Sequence, residues 1–388
     1  MMESNTMTIG CDLGDKYTQV CVLDQLGNVL EKTRIRTTRT SVEKYFMKRA
    51  RLRVVLEVGV HSRWTSELLE DLGHEVIVAN PRQVKLIYAR KSKDDVADAE
   101  VLARLGRVDV KLLAPIRHRE KKAQIDLVAI RARDALVQAR TKLVNGVRGF
   151  VKSFGHRLPS CTAESFHQKT RQAVPVELVG NLTSLFEMIE ALTTRIRQYD
   201  KAIEQVARAS YPETEILRQV GGVGPLTALT FVLTLEQPAR FTKSRRVPAF
   251  LGLCPKRDQT GETDKQLGIT KAGDQYLRRL LVTSAHYILG PFGPDADLRR
   301  WGLKLAERGG KNAKKRAIVA TARKLAVLLH RLWVTGEVYE PIGYTEKYRR
   351  AQIPAGDQRL SFHDRPPPDP TLLQGRTCPP PLETPDHV

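Results

Sequence analysis

The chain has 388 residues, 64 of them lysine or arginine and 43 aspartate or glutamate, so its formal net charge at pH 7 is +21. Such a surplus predicts a polyanionic partner, nucleic acid above all, because neutralised phosphates release their counterions. The 41% of hydrophobic residues can build real cores, which excludes wholesale disorder.

Apolar periodicity predicts an α/β domain over residues 1–115. Three short strands with brief connections imply antiparallel neighbours, and alternating helices and strands follow, which is typical of a mixed sheet covered by helices. The expected strands are 8–13, 19–23, 29–35, 54–58 and 75–79, and the expected helices are 41–51, 64–72 and 95–105.

Three further segments follow. Residues 116–212 favour two long charged helices, 120–158 and about 182–208, which form either an antiparallel hairpin or a dimerising coiled coil. Residues 213–340 predict a mainly helical domain, and residues 241–331 hold 20 lysines and arginines against 7 acids. The proline-rich segment 341–388 is predicted to be disordered.

The composition also limits the setting of the protein. No apolar run reaches the ~20 residues of a membrane span, and the first ten residues lack the pattern of a signal peptide. The five cysteines are scattered and form no CxxC pair, which argues against a disulfide framework or a zinc site. We expect a cytoplasmic, nucleoid-associated protein.

Four acidic residues stand out in the α/β domain. Asp12 and Glu57 each interrupt an apolar strand, and Asp95 and Asp98 share one face of the third helix at i and i+3. Each also has a purely structural explanation. Asp12 and Glu57 could form ion pairs, and Asp95, with Asp94, could cap the helix. Together they predict a Mg²⁺ site at one end of the sheet, because Mg²⁺ prefers oxygen ligands and clamps the oxygens of a phosphodiester during its cleavage.

Two candidate DNA-binding motifs follow in the mainly helical domain. Gly222-Val223-Gly224 resembles the turn of a helix-hairpin-helix, which offers backbone N–H groups to a DNA phosphate, although an ordinary tight turn would look the same. The stretch 250–281 reads as a strand, a loop, the start of a helix and a basic helix. Its candidate phosphate contacts are Lys271, Arg278 and Arg279, although the two arginines would more usually only solvate a face of the helix.

In this order and spacing, the acids, the long basic helices, the Gly-Val-Gly turn and the Gly-Ile-Thr-Lys-Ala-Gly-Asp motif resemble the DEDD insertion-sequence transposases. These Piv-related recombinases have an RNase H/RuvC-like first domain and a distinctive C-terminal domain. The resemblance covers about residues 8–332. It implies that Asp12, Glu57, Asp95 and Asp98 are catalytic and hold Mg²⁺, that the protein assembles as a homodimer or homotetramer, and that a structured guide RNA pairs with donor and target DNA.

The resemblance also implies a serine nucleophile in a Ser-Gly pair. Here the matching position is Thr260, followed by Gly261, and the extra methyl group restricts χ1 and crowds in-line attack. Thr260 is therefore the candidate nucleophile of an active variant, a slowed enzyme or a decayed copy, and Ser244 and Ser284 are nearby alternatives. The expected reaction is cleavage and rejoining of DNA at a composite site built by neighbouring subunits.

Three other functions stay open. A structure-specific nuclease such as a junction resolvase would use the same acids without Thr260. A non-catalytic nucleic-acid-binding protein would need the charge alone. An actin-like ATPase shares the strand pattern, but its second phosphate turn and its adenosine loop do not occur at a suitable place.

Overall fold

The computed structural model describes residues 7–80, 95–260 and 263–343. The chain divides into two compact units, residues 1–128 and residues 129–388. The proline-rich segment that was predicted to be disordered lies outside the described residues from position 344 onward. The predicted division into four segments stays a prediction.

The first unit is a five-stranded mixed sheet with helices on both faces. The strand order is β3-β2-β1-β4-β5, in which β3, β2 and β1 are antiparallel and β1, β4 and β5 are parallel. The strands are β1 Thr8–Leu13, β2 Tyr17–Leu23, β3 Val29–Arg36, β4 Arg53–Glu57 and β5 Glu75–Ala79, and the helices are α1 Arg39–Phe46, α2 Ser62–Asp71 and α3 Asp95–Val108. The mixed α/β architecture is as predicted, and the ends of the helices and strands differ from the prediction by a few residues.

Side chains alternate between the two faces of the sheet, as the period of two requires. On one face, Ile9, Cys11, Val54 and Leu56 pack in one core cluster with residues of α1 and α2. On the other face, Val55 packs against α3. Both sides of the central strands are therefore buried, which explains their continuous apolar runs.

Two glycines allow α3 to lie close to the sheet. A Cβ atom on Gly10 would come within 2.0 Å of the Ala99 carbonyl oxygen, and one on Gly106 within 2.3 Å of a methyl group of Val55. The prediction that Gly106 ends this helix is wrong, because α3 continues through it to Val108. Gly106 is needed because only a residue without a side chain fits against Val55.

The second unit contains most of the long helix α4 Lys121–Ser153 and all of a second long helix, α6 Val176–Ser210. The two are joined through the short helix α5 Phe166–Thr170. Arg133 bonds to Asp200 at 2.9 Å, and Arg140 bonds to Thr193 at 3.3 Å. Residue numbers rise on one helix as they fall on the other, so α4 and α6 form an antiparallel hairpin. This arrangement is one of the two alternatives that the sequence left open.

The rest of the second unit is mainly helical around one core. Its helices are α7 Glu213–Arg218, α8 Pro225–Leu235, α9 Val247–Phe250, α10 Gln275–Leu289, α11 Asp297–Ala306 and α12 Ala313–Thr335. A hairpin of β6 Pro255–Thr260 and β7 Thr263–Ile269 interrupts them. The prediction of a strand and a loop before α10 missed this hairpin, since its strands are mostly polar and show no apolar alternation.

Candidate functional site

Two of the four predicted acids lie on neighbouring central strands. β1 and β4 are parallel, and Cys11 is paired with Leu56, so the next residues, Asp12 and Glu57, stand side by side at the carboxyl ends of the strands. Both residues are partly buried. Because neighbours along a strand alternate, and Cys11 and Leu56 belong to the opposite face, both acids belong to the face that α3 covers.

The direction of α3 brings its first turn to the same edge. Ala99 and Ala103 lie over Gly10 in the middle of β1. The far end of α3 lies at the opposite edge of the sheet, where Arg107 bonds to the carbonyl oxygen of Gln25, just beyond β2. The amino end of α3, with Asp98 one residue before Ala99, therefore lies toward the carboxyl ends of β1 and β4. We name this region the acidic edge and define it by Asp12, Glu57, Asp95 and Asp98.

Ion pairs fix α3 on the sheet. Glu100 accepts from Lys32 of β3 at 2.7 Å and from Arg104 at 2.7 Å, and these two cations hold the pKa of its carboxyl group below its usual range. Arg53 of β4 donates to the carbonyl oxygen of Gly106 at 3.1 Å. These bonds oppose sliding of α3 and so maintain the position of Asp98.

The donor set of the acidic edge fits a hard divalent cation. All four residues are carboxylates, the oxygen ligands that Mg²⁺ prefers. Among the side chains that the structure describes, no three histidine, cysteine, aspartate or glutamate residues are grouped closely enough to hold a metal ion. Asp95 begins α3, but its side chain is outside this set. The metal role of the four acids therefore stays a prediction.

Two other residues near the acidic edge differ in what they offer chemically. Sequence reasoning missed His61, which follows β4. The Trp64 indole donates to its Nδ1 at 3.1 Å, so its Nε2 carries the proton, and this nitrogen lies 3.7 Å from the carboxylate of Asp15. In the sequence, His61 could have been found from its place just after the carboxyl end of a central strand.

Cys11 is buried, and burial, then the charge of Asp12, raises the pKa of its thiol to about 12. Cys11 is therefore a neutral thiol and not a nucleophile.

The base of the β6–β7 hairpin is fixed by close contact between the segment before β6 and the segment after β7. Gly252 and Gly273 have φ values of +71° and +68°, and a Cβ atom on either would come within 2.3 Å of backbone atoms of the other segment. One guanidinium nitrogen of Arg278 donates to the carbonyl oxygens of Leu251 and Ala272 at 2.9 and 2.6 Å. Arg278 therefore joins the chain before β6 to the chain after β7.

Arg278→Lys is expected to lower stability while it preserves charge. Lysine cannot reach both carbonyl groups in the same planar geometry, and lost charge-assisted bonds cost about 2 kcal/mol. We expect the thermal midpoint of the second unit to fall by roughly 4–8 °C, while affinity for duplex DNA changes less than about twofold. Differential scanning calorimetry and fluorescence anisotropy test this. A large affinity loss with an unchanged midpoint would instead assign Arg278 to phosphate binding.

Thr260 lies at the far end of the hairpin. It is the last residue of β6 and pairs with Thr263, the first residue of β7. Five residues at about 3.4 Å each separate it from Pro255, so it stands roughly 17 Å from the base. Gly261 lies outside the described residues, as does the side chain of Thr260.

The two alternative serines are held elsewhere. Ser284 is buried in α10, with 4% of its surface exposed. The hydroxyl of Ser244 bonds to Nδ1 of His330 at 2.9 Å, and Nε2 of the same ring donates to the Pro238 carbonyl oxygen at 3.0 Å. Burial lowers the pKa of His330, which keeps the ring neutral. These bonds tie the segment before α9 to α12.

The Gly-Val-Gly turn joins α7 to α8, which fits both alternatives that the sequence left open, the helix-hairpin-helix and the ordinary tight turn. Gly222 has φ +89° and packs against α10, where a Cβ atom would lie 2.9 Å from the Tyr287 ring. Val223 is buried in the core, so only its backbone is available to a ligand. Gly224 is exposed and caps α8 without a side-chain bond.

The two remaining basic candidates differ in their surroundings. Lys271 is exposed, with φ +55°, and no acidic group of the described residues lies within 4.0 Å of it. Arg279 forms an ion pair with Asp134 of α4 and stacks on the Tyr276 ring, which also carries Arg131. Arg131 pairs in turn with Asp274 at the start of α10. Lys271 is thus more available to a phosphate than Arg279.

Comparison with known proteins identifies both units. Residues 9–155 match the DEDD transposase model of the IS110 type, and residues 214–296 match the model of the IS116/IS110/IS902 transposase family. The transposase for insertion sequence element IS1111A of Coxiella burnetii is 28% identical over 85% of this chain and 90% of its own length. The y4pF/y4sB protein of Sinorhizobium fredii, also named as a transposase, is 30% identical over 79% of each chain.

The chain belongs to the IS110-type insertion-sequence transposases, and it is an enzyme of DNA transposition. The α/β unit that carries the acidic edge lies within the matched DEDD region. In the described residues, no helix combines the length and the apolarity that crossing a membrane requires.

Proposed function

We propose that this transposase cuts and rejoins DNA at the ends of its insertion sequence by a Mg²⁺-dependent reaction in which Thr260 supplies the attacking hydroxyl. The acidic edge is the observation that carries the proposal: Asp12 and Glu57 stand side by side, and the amino end of α3 lies toward them. Oxygen donors on two central strands and a helix suit a divalent cation beside a phosphodiester.

In this mechanism the carboxylates of Asp12, Glu57, Asp95 and Asp98 would hold the cation. When bound, Mg²⁺ would stabilise the negative charge that develops on the oxygens of the phosphodiester. The Thr260 hydroxyl gives up its proton and attacks the phosphorus atom, and the bond from phosphorus to one deoxyribose oxygen breaks. That oxygen takes up a proton and leaves as the free hydroxyl end of the cut strand, while the other end stays on Thr260 as a phosphate ester. Attack on this ester by the free hydroxyl of another cut strand rejoins the DNA and returns the hydroxyl to Thr260. The hairpin supports this role because it carries Thr260 to the end of two paired strands, away from the packed base.

A circle assay tests the nucleophile. In cells that carry the complete element, we expect excised circles from the wild type, none from Thr260→Ala, and at least as many from Thr260→Ser because serine lacks the crowding methyl group. Circles from Thr260→Ala at the wild-type level would contradict the assignment. A silent wild type that Thr260→Ser restores would identify a crippled enzyme in which the threonine is the defect.

The assay also separates the alternatives. A junction-resolving nuclease would leave hydrolysed ends and would ignore changes at Thr260, whereas a binding protein would tolerate loss of all four acids. We further propose, from the family resemblance, that a structured RNA encoded by the element guides the reaction and that the protein works as a dimer or tetramer. Changing the RNA-coding part of the non-coding ends, with the terminal bases of the element kept, should then abolish circles, and RNA supplied in trans should restore them.

A further inference from the structure

The connection between α11 and α12 carries a dense cluster of exposed positive charge. We call it the basic tip. Every side chain in it is exposed, and the only nearby acid along the chain is Glu307. The basic tip consists of Arg308, Lys311, Lys314, Lys315 and Arg316.

The charges of the basic tip are uncompensated. Within the described part of the chain, none of the five side chains lies within 4.0 Å of an acidic group. Some other cations of the same unit do have such partners. Arg300 pairs with Asp295 at 2.6 Å, and Arg218 pairs with Glu215 at 2.8 Å. In the groove between α4 and α10, Arg133 and Arg279 are likewise paired with aspartates. The basic tip is therefore better suited than that groove to an external anion.

Without a bound anion, the position of these cations at the amino end of α12 lowers the stability of the helix. The first turn of α12 holds Lys314, Lys315 and Arg316 and no acid, and the Asn312 side chain makes no capping bond. The amino end of a helix carries partial positive charge and unpaired N–H groups, so cations there are disfavoured and anions are favoured. A bound anion would remove this conflict.

We propose that the basic tip is a docking surface for the phosphate backbone of duplex DNA. The inference rests on the proposed function, because a transposase must hold DNA beyond the bond that it cuts, and it adds the surface that does so. A row of phosphates matches several cations on one exposed turn better than a single small anion would. The contact involves the backbone alone, so it is independent of base sequence.

The test measures binding of the full-length protein to a 30-base-pair duplex of arbitrary sequence by fluorescence anisotropy between 50 and 200 mM NaCl. The variant is Lys311→Gln/Lys314→Gln/Lys315→Gln. We expect its affinity at 100 mM NaCl to fall about tenfold or more, and the slope of log K against log salt to flatten by about 2–3, since each phosphate contact contributes about 0.9. Its thermal midpoint without DNA should be unchanged or higher, because the removed charges oppose the dipole of α12.

The control removes the same charge elsewhere. Arg195→Gln/Arg197→Gln/Lys201→Gln changes three exposed residues of α6 and should alter affinity less than about twofold. Equal losses of DNA affinity in both variants would mean that net charge alone acts, which would overturn the proposal. An unchanged affinity in the basic-tip variant, or a loss of affinity seen only with an RNA hairpin, would overturn it as well. Binding needs no catalysis, so a protein that makes no circles can still pass this test, and one that makes circles can still fail it.

Discussion

Replacing Asp12 with asparagine is expected to abolish excision circles, with a loss on the order of 1000-fold or more. Asparagine retains the shape of the side chain but removes its negative charge, at a position beside Glu57 on the central strands. Losing a metal-holding carboxylate costs several kcal/mol of transition-state stabilisation, and each 1.4 kcal/mol is a factor of ten in rate. The measurement is quantitative amplification of the circle junction. Asp95→Asn and Asp98→Asn are measured in the same assay.

A second readout separates the metal role from a structural one. Addition of Mn²⁺ or Mg²⁺ should raise the thermal midpoint of the wild type, since a ligand that binds only the folded state stabilises it. The same addition should leave Asp12→Asn unmoved. Asp71→Asn, an exposed acid at the end of α2, is the matched control and should retain both activity and the metal-induced shift. Full activity of Asp12→Asn would refute the metal role.

Gly10→Ala is expected to destabilise the first unit by about 3 kcal/mol or more, which lowers its thermal midpoint by roughly 6–12 °C. The added Cβ atom would lie 2.0 Å from the Ala99 carbonyl oxygen and 2.6 Å from the Ala103 nitrogen. Both are backbone atoms, so relief requires the whole of α3 to move off the sheet. Calorimetry of the full chain measures the effect.

The movement should also disable the acidic edge, because Asp98 is adjacent to Ala99 on α3. We therefore expect Gly10→Ala to lose circle formation even at temperatures where the protein stays folded. Gly59→Ala is the control, since a Cβ atom there has nothing within 4 Å, and its midpoint should change by less than about 2 °C. If Gly10→Ala matched this control, α3 would not be held as closely as the structure indicates.

The first unit could be predicted well because its signals are local. Apolar strands with an acid near one end, such as those of Asp12 and Glu57, indicate both the sheet and the edge at which these acids lie. The rule that parallel strands share a carboxyl edge then brings the acids together. Gly106 shows the limit of this reasoning, because a glycine that ends a helix and one that lies beneath a neighbouring valine look alike in sequence.

The second unit was less predictable because long-range contacts determine it. The β6–β7 hairpin is too polar to show a period of two, and the side chain of Arg278 bonds to carbonyl groups 6 and 27 residues away. Val223 was named only as part of a candidate DNA-binding turn, and its side chain belongs to the core. In each case the decisive partner lies on another element, which periodicity cannot show.

The hairpin that carries Thr260 also affects how the enzyme can evolve. Its packed base is built around Gly252, Gly273 and Arg278, whereas its outer strands expose residues such as Lys256 and Gln259. A change at position 260, roughly 17 Å from that base, leaves the folding contacts of the base untouched. If Thr260 carries the proposed attacking hydroxyl, selection on that hydroxyl is separated from selection on stability. An exchange of serine and threonine at this position then needs no compensating change in the base of the hairpin.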